Sequence, residues 1–138
     1  MGKEKYMKIF KCILTDNGKE FYEPEIMEQY DGEKVCNVFY CDGGKPYQKG
    51  CCEENHHYIR YYLPKKYCTF DDLNQEDCNK IMSHINSVPR EILNGKTPYE
   101  SILDDIEEKD LKKLGVERIK KDDVNLSPKI LNGKGKRK

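Results

Sequence analysis

Apolar positions follow two spacings along this chain. Short β-type runs dominate the first third, and helix-type periodicity takes over after residue 50. Near the start, Ile9, Phe10, Ile13 and Leu14 read as a strand, with Phe21 and Tyr22 as its return partner. Between them stands "TDNG", residues 15–18. Asn-Gly between two apolar runs is a strong signal for a tight hairpin, because both residues tolerate positive φ. The same residues admit a second reading, in which Asp16 is a carboxylate at the end of a strand, held out for a metal. Alone, the stretch leans to the hairpin and leaves both readings open.

A short helix over 24–30 is expected next, closed by Asp31-Gly32. "KVCNVFYCD" predicts a second strand, carried by Val35, Val38, Phe39 and Tyr40 and stopped by "CDGG". "CCEENHHYIRYYLPKK" then predicts a helix that ends at Pro64, since proline pushes its predecessor out of helical geometry. Cys52, Ile59 and Leu63 share its apolar side. Glu53, His56, His57 and Arg60 form one polar stripe at i, i+3, i+4 and i+7. "LNQEDCNKIMSHINSVPR" predicts a second helix with Asn74 as N-cap, Asp77 as its return partner, and Cys78, Ile81, Met82 and Ile85 as the apolar face. "TPYESILDDIEE" predicts a third, with Thr97 capping, Pro98 in the first helical position and Glu100 completing a capping box. Residues 109–114 continue it after a bend, with Gly115 as the stop. Residues 116–131 read as extended or irregular, and the final "NGKGKRK" as disordered.

Composition narrows the picture. Only 36% of the 138 residues are hydrophobic and 36% are charged, thin for a self-sufficient core; ten tyrosines and four phenylalanines compensate in part. The net charge of zero excludes a global basic field. From Ser127 onward the chain carries Lys129, Lys134, Lys136, Arg137 and Lys138 and no acid. On composition this is a solvated tail, with nucleic-acid contact as the lesser reading. No run is long or apolar enough to span a membrane, and no signal-peptide pattern opens the chain. With seven cysteines, an odd number, free thiols and a cytoplasmic location are expected. Cys36, Cys41, Cys51, Cys52, His56 and His57 raise the question of zinc, but their spacings do not match the usual paired pattern, so zinc is disfavoured.

Two carboxylates stand out. Asp16 falls at a strand end and Glu53 in the first turn of a helix, one strand later. Acids aimed from different elements can share a divalent ion, and two such ions can activate a water or 3′-hydroxyl and stabilise a leaving oxygen in phosphoryl transfer. Magnesium suits such a set, taking few carboxylates and keeping waters.

Four blocks then occur in order: "TDNGKEF", "FYCDGGKPYQKGCCEENHHYIRYYLPKK", "TFDDL" and "HINSVPREILNGKTPYE". With them the chain resembles the C-terminal part of the integrase catalytic core of bacterial insertion-sequence transposases, in the DDE (retroviral-integrase) superfamily. The resemblance runs from about Ile13 to Glu100, and more weakly to Pro128. It implies an α/β fold: a partial RNase H-like core with two or so strands and three or four helices, its N-terminal strands missing. It implies residues 1–106 as the distal part of that core, 107–126 as a C-terminal extension and 127–138 as a basic disordered tail. Asp16 and Glu53 become catalytic metal ligands for Mg2+ or Mn2+. Glu54 is adjacent, but counting back seven from Arg60 selects Glu53. Asn17, Gln48, Lys49, Asn55, His57 and Arg60 become candidate DNA contacts, since amides and cations bind phosphates. For His57 an i, i+4 pairing with Glu53 is an equal alternative.

The family's first three strands and first catalytic aspartate precede its "TDNG" block. Only fifteen residues precede Asp16 here, and none is aspartate. The chain is therefore expected to be inactive alone in DNA transposition and integration. Its partners would be DNA (transposon ends and target) and either further copies of itself or a complementing N-terminal transposase fragment. The alternative is a non-enzymatic remnant that binds DNA or a transposase. A third reading, a small metal-binding or structural protein with accidental motifs, is opposed by the block order.

Overall fold

The computed structural model describes residues 2–66 and 68–134. They form a mixed α/β structure with six α-helices and four short strands. The chain divides into two compact units, residues 1–53 and 54–138. No helix among the described residues is long and apolar enough to cross a membrane.

The first unit opens with α1 (Lys3–Ile9), followed by β1 (Cys12–Thr15). Ile9 and Phe10 therefore lie outside the strand in which their apolar character placed them. Short apolar runs do not distinguish helix from strand, and here an aromatic pair decides. Tyr6 packs on Phe10 at i+4, with ring centroids 4.8 Å apart, and its hydroxyl donates to the Met27 carbonyl at 2.7 Å.

The hairpin at Asn17-Gly18 does not form. Gly18 has φ −66°, and Lys19–Phe21 is a turn of 3-10 helix rather than a return strand. Strand β1 pairs instead in parallel with β4 (Asn37–Tyr40), in register from Cys12↔Asn37 to Thr15↔Tyr40. A parallel pair needs a crossover, here supplied by α2 (Pro24–Glu28) and a miniature hairpin of β2 (Gln29–Tyr30) and β3 (Glu33–Lys34). The tight turn falls at Asp31-Gly32, where both φ values are positive (51° and 78°) between antiparallel strands. The dipeptide expected to stop a helix makes the hairpin, and the one expected to make a hairpin does not. Glu28 links the crossover to the sheet: its Oε1 accepts from the Val38 N–H at 2.8 Å, and its Oε2 pairs with Lys34.

Burial in this unit is sparse: Thr15, Val35, Cys36 and Cys41 are buried, while Leu14 and Phe39 are 49% and 55% exposed. These two are register partners and share a face of the sheet. Parallel sheets in folded domains are normally covered on both faces, and this one leaves an apolar pair in solvent.

The second unit takes in most of α3 (Gly50–Tyr62), which stops just before Pro64, and α4 (Gln75–Asn86). Its core is Tyr62, Leu63, Cys68, Ile81, Ile85 and Leu131. Helix α4 starts on the expected box: Asn74 Oδ1 accepts from Asp77 N and Asp77 Oδ2 from Asn74 N. Ile81 and Ile85 are buried as their spacing predicts, but Cys78 is exposed, and Ser83, His84 and Ser87 are buried instead. Helix α5 (Pro98–Ile102) carries the Thr97–Glu100 box, and the chain restarts as α6 (Glu108–Lys113). Gly115, at φ +75°, ends it in a Schellman motif, with Gly115 N donating to Lys112 O and Val116 N to Leu111 O.

The irregular segment after Gly115 explains the polar burial on α4. Ser83 Oγ accepts from Glu117 N, Ser87 Oγ from Ile119 N and His84 Nδ1 from Asn125 N, at 3.0, 3.0 and 3.1 Å. The Tyr62 hydroxyl donates to Asn125 O at 2.6 Å. The segment is thus strapped along α4 by side chains that stand in for missing secondary structure. Pro128–Leu131 is a 3-10 turn with Leu131 buried in the core. Disorder expected from residue 127 is thus corrected for 128–131, because composition does not register one well-placed leucine. Residues 135–138 lie outside the described residues.

Candidate functional site

Parallel strands end on the same edge of a sheet, so β1 and β4 deliver their C-terminal residues side by side. Thr15↔Tyr40 is the last pair. Cys41 N donates to Thr15 O at 2.8 Å, and Asn17 Nδ2 donates to Cys41 O at 3.1 Å. Asp16 projects from this tie with its side chain 61% exposed. On the neighbouring strand end, Asp42 Oδ2 accepts from Lys45 Nζ at 2.7 Å and Gln48 Nε2 at 3.1 Å, while Asp42 N donates to Gln48 Oε1. The loop is thereby folded back, and Lys49 reaches Asp16, Nζ to Oδ2 3.2 Å. The Lys49 bond holds the Asp16 carboxyl below its ordinary pKa, against the opposing effect of desolvation, and the same bond raises the ammonium of Lys49. Bonds from Lys45 and then Gln48 likewise depress Asp42.

Glu53 lies in the first turn of α3, where the helix end carries partial positive charge. It is exposed and makes no ion pair with His57, itself exposed, among the described residues. Asn55 Oδ1 accepts from Arg90 Nη2 at 3.2 Å, and the Arg90 guanidinium lies 3.8 Å from the centroid of the Tyr58 ring. Arg60 is turned to the helix's own C-terminus: its Nη1 donates to Leu63 O at 3.1 Å and its guanidinium lies over Phe70.

Asp16, Asn17, Gln48 and Lys49 therefore meet at one sheet edge, and Asn55, His57 and Arg60 lie on α3. Two residues carry interactions that the sequence left unassigned. Asp42 has a visible signal, since it follows "FYC" as Asp16 follows "ILT". Arg90 stands in a recognised block but meets Asn55 only through the fold. Among the described residues no group of three or more His, Cys, Asp or Glu side chains converges on a point. Carboxylates such as Asp16 and Glu53 can form part of a magnesium shell, but with Asp16 engaged by Lys49 the described residues do not complete one.

Known proteins share much of this stretch. Over 92 residues, 67% of its length, the chain is 37% identical to the transposase InsI for insertion sequence element IS30A of Escherichia coli. It is 31% identical over 90 residues to the transposase for insertion sequence element IS1086 of Cupriavidus metallidurans, and 31% identical over 96 residues to the integrase-named ORF3 protein of Spiroplasma virus SpV1-R8A2 B. The chain spans 23%, 25% and 29% of these relatives, respectively. No family model matches it. No solved structure matches it. Over two-thirds of its length, the chain is similar to insertion-sequence transposases.

Proposed function

We propose that this chain is part of an insertion-sequence transposase acting in DNA transposition and integration, and that it forms the distal portion of an RNase H-like DDE core. The observation that carries the reading is the similarity to transposases over 67% of the chain, and the positions of the two candidate acids support it. Asp16 ends a strand of a parallel pair, and Glu53 opens the helix that follows the partner strand. Ligand sites of α/β sheets gather at the C-terminal ends of parallel strands. The uncovered Leu14–Phe39 face is where helices of a larger α/β fold would pack.

In the larger protein Asp16 and Glu53 would hold Mg2+ or Mn2+ together with donors from outside this chain. The ion would supply charge stabilisation for phosphoryl transfer. The residues of this chain contribute two carboxylates, the exposed His57 on α3, and Asn17, Gln48 and Lys49 at the sheet edge for DNA phosphates. In this reading the chain alone is inactive, because among the described residues no group of three or more His, Cys, Asp or Glu side chains converges to hold the ion. Its partners are transposon-end and target DNA, and either copies of itself or the remainder of the transposase.

The test is strand transfer on labelled element-end DNA with Mg2+ or Mn2+. The chain alone should give no product. Mixing it with the remaining transposase polypeptide should restore transfer, and Asp16→Asn or Glu53→Gln should abolish it. Divalent-dependent nicking by the chain alone, lost on Glu53→Gln, would contradict the inactivity. Failure of restoration, with salt-sensitive DNA binding retained, would favour a binding remnant; the Lys49–Asp16 pair is the observation that fits that second reading.

A further inference from the structure

Helix α3 carries an amide whose orientation is chemically forced. Asn55 Oδ1 accepts from Arg90 Nη2 at 3.2 Å. Arginine has five donors and no acceptor, so only the oxygen of the Asn55 amide can face it. The usual ambiguity between the two amide orientations is removed by the partner. The amide nitrogen, with two donors, must then point away from Arg90. Asn55 is half-buried on α3, two residues after Glu53, with Glu54, His56 and His57 exposed around it.

Arg90 is itself pinned. Its guanidinium stacks 3.8 Å from the centroid of the Tyr58 ring, close for a cation–π contact. Its Nε is buried without a hydrogen-bond partner. A buried orphan donor is costly, and the stack on Tyr58 and the bond from Nη2 to Asn55 are the contacts that hold the side chain in place against that cost.

We infer that Arg90 is a positioning residue that fixes the Asn55 amide as an outward hydrogen-bond donor, so that α3 presents this position to acceptor atoms of DNA, phosphate or base-edge oxygens and nitrogens. The inference rests on the proposed DNA-binding role and adds to it the polarity of one contact and the residue that sets it. A fixed donor loses less freedom on binding than a rotating amide. Lysine is no substitute for Arg90: it keeps the charge but lacks the planar fork that stacks on Tyr58 and reaches Asn55 at once.

The experiment is a double-mutant cycle on DNA affinity. The 138-residue chain, Asn55→Ala, Arg90→Lys and the double variant are titrated against a short fluorescent DNA duplex at several salt concentrations. Thermal melts run in parallel confirm that each variant is folded. Each single change should weaken binding about tenfold, and the double change no further, because both remove one contact. The slope of log affinity against log salt should not move, since no phosphate-neutralising charge is lost. Additive losses, an Arg90→Lys chain that binds as before, or a changed salt slope would overturn the assignment. Asn55→Ala lies on a half-exposed helical position and keeps the test decisive if Arg90→Lys does not fold: unchanged affinity in that variant alone overturns it. A parent chain that binds no DNA overturns the DNA-binding reading itself, and this assignment with it.

Discussion

Leu131→Ala separates the composition of the C-terminal stretch from its packing. From Ser127 onward the sequence is basic, glycine-containing and acid-free, which on composition alone is a solvated tail. In the structure Leu131 is 1% exposed and belongs to the cluster of Tyr62, Leu63, Ile81 and Ile85. Truncating a buried leucine removes its transfer free energy and leaves a cavity, about 2–5 kcal/mol in sum. The 3-10 turn that carries Leu131 lies near the chain end and can partly collapse, so a loss of about 3 kcal/mol is expected, within the usual leucine range. Against a total of about 5–15 kcal/mol for an ordinary domain this is a large share. At about 4–8 °C per kcal/mol for a domain of about 60–100 residues, the size class of the unit 54–138 that holds Leu131, Tm should fall by about 12–24 °C. Circular dichroism melts and urea titrations of Leu131→Ala, with exposed Lys129→Ala as control, measure it; the control should stay within about 0.5 kcal/mol. A Tm change below about 4 °C in Leu131→Ala, or equal changes in both variants, would refute the packing argument.

The strap and the caps give two further expected outcomes. Burial, reinforced by the nearby charge of Lys80, lowers the pKa of His84, whose Nδ1 must stay unprotonated to accept from Asn125 N. The unfolded chain then binds the proton more readily, so stability should hold above about pH 6.5 and decline as pH falls below it. Melts from about pH 7.5 to 5.5 should show that decline, and His84→Gln should flatten it; an identical slope in the variant would discard the latch. Thr97→Ala removes the acceptor for Glu100 N, 3.0 Å away, and should cost about 1 kcal/mol by urea denaturation, as N-cap losses do; no measurable change would mean that α5 is held by packing alone.

Much of the local structure was legible because its causes lie within a few residues. Asn74 with Asp77 and Thr97 with Glu100 close boxes over three positions. Pro64 stops α3 and Gly115 stops α6 for reasons of backbone geometry alone. The candidate acids were legible too, since Asp16 after an apolar run and Glu53 in a helical first turn need no tertiary knowledge to locate. The sequence by itself therefore determined where α3, α4 and α5 begin or end and which carboxylates stand at element ends.

Tertiary structure decided what those elements meet. Asn17-Gly18 and Asp31-Gly32 carry nearly the same local signal, but only the second turns a hairpin. The strand before Asn17 finds its partner in β4, across the crossover, and the Asn17 amide is drawn to Cys41 O. Ser83 and Ser87 are polar residues on what periodicity reads as the outer side of α4, and they are buried, alongside His84, because a segment more than thirty positions away needs acceptors for its N–H groups. Arg90 reaches Asn55 across 35 positions. The physical reason is common to all three. Propensity, capping and turn chemistry act over one or two turns of chain. Pairing, polar satisfaction and the aim of a side chain depend on groups brought together only when the chain has folded.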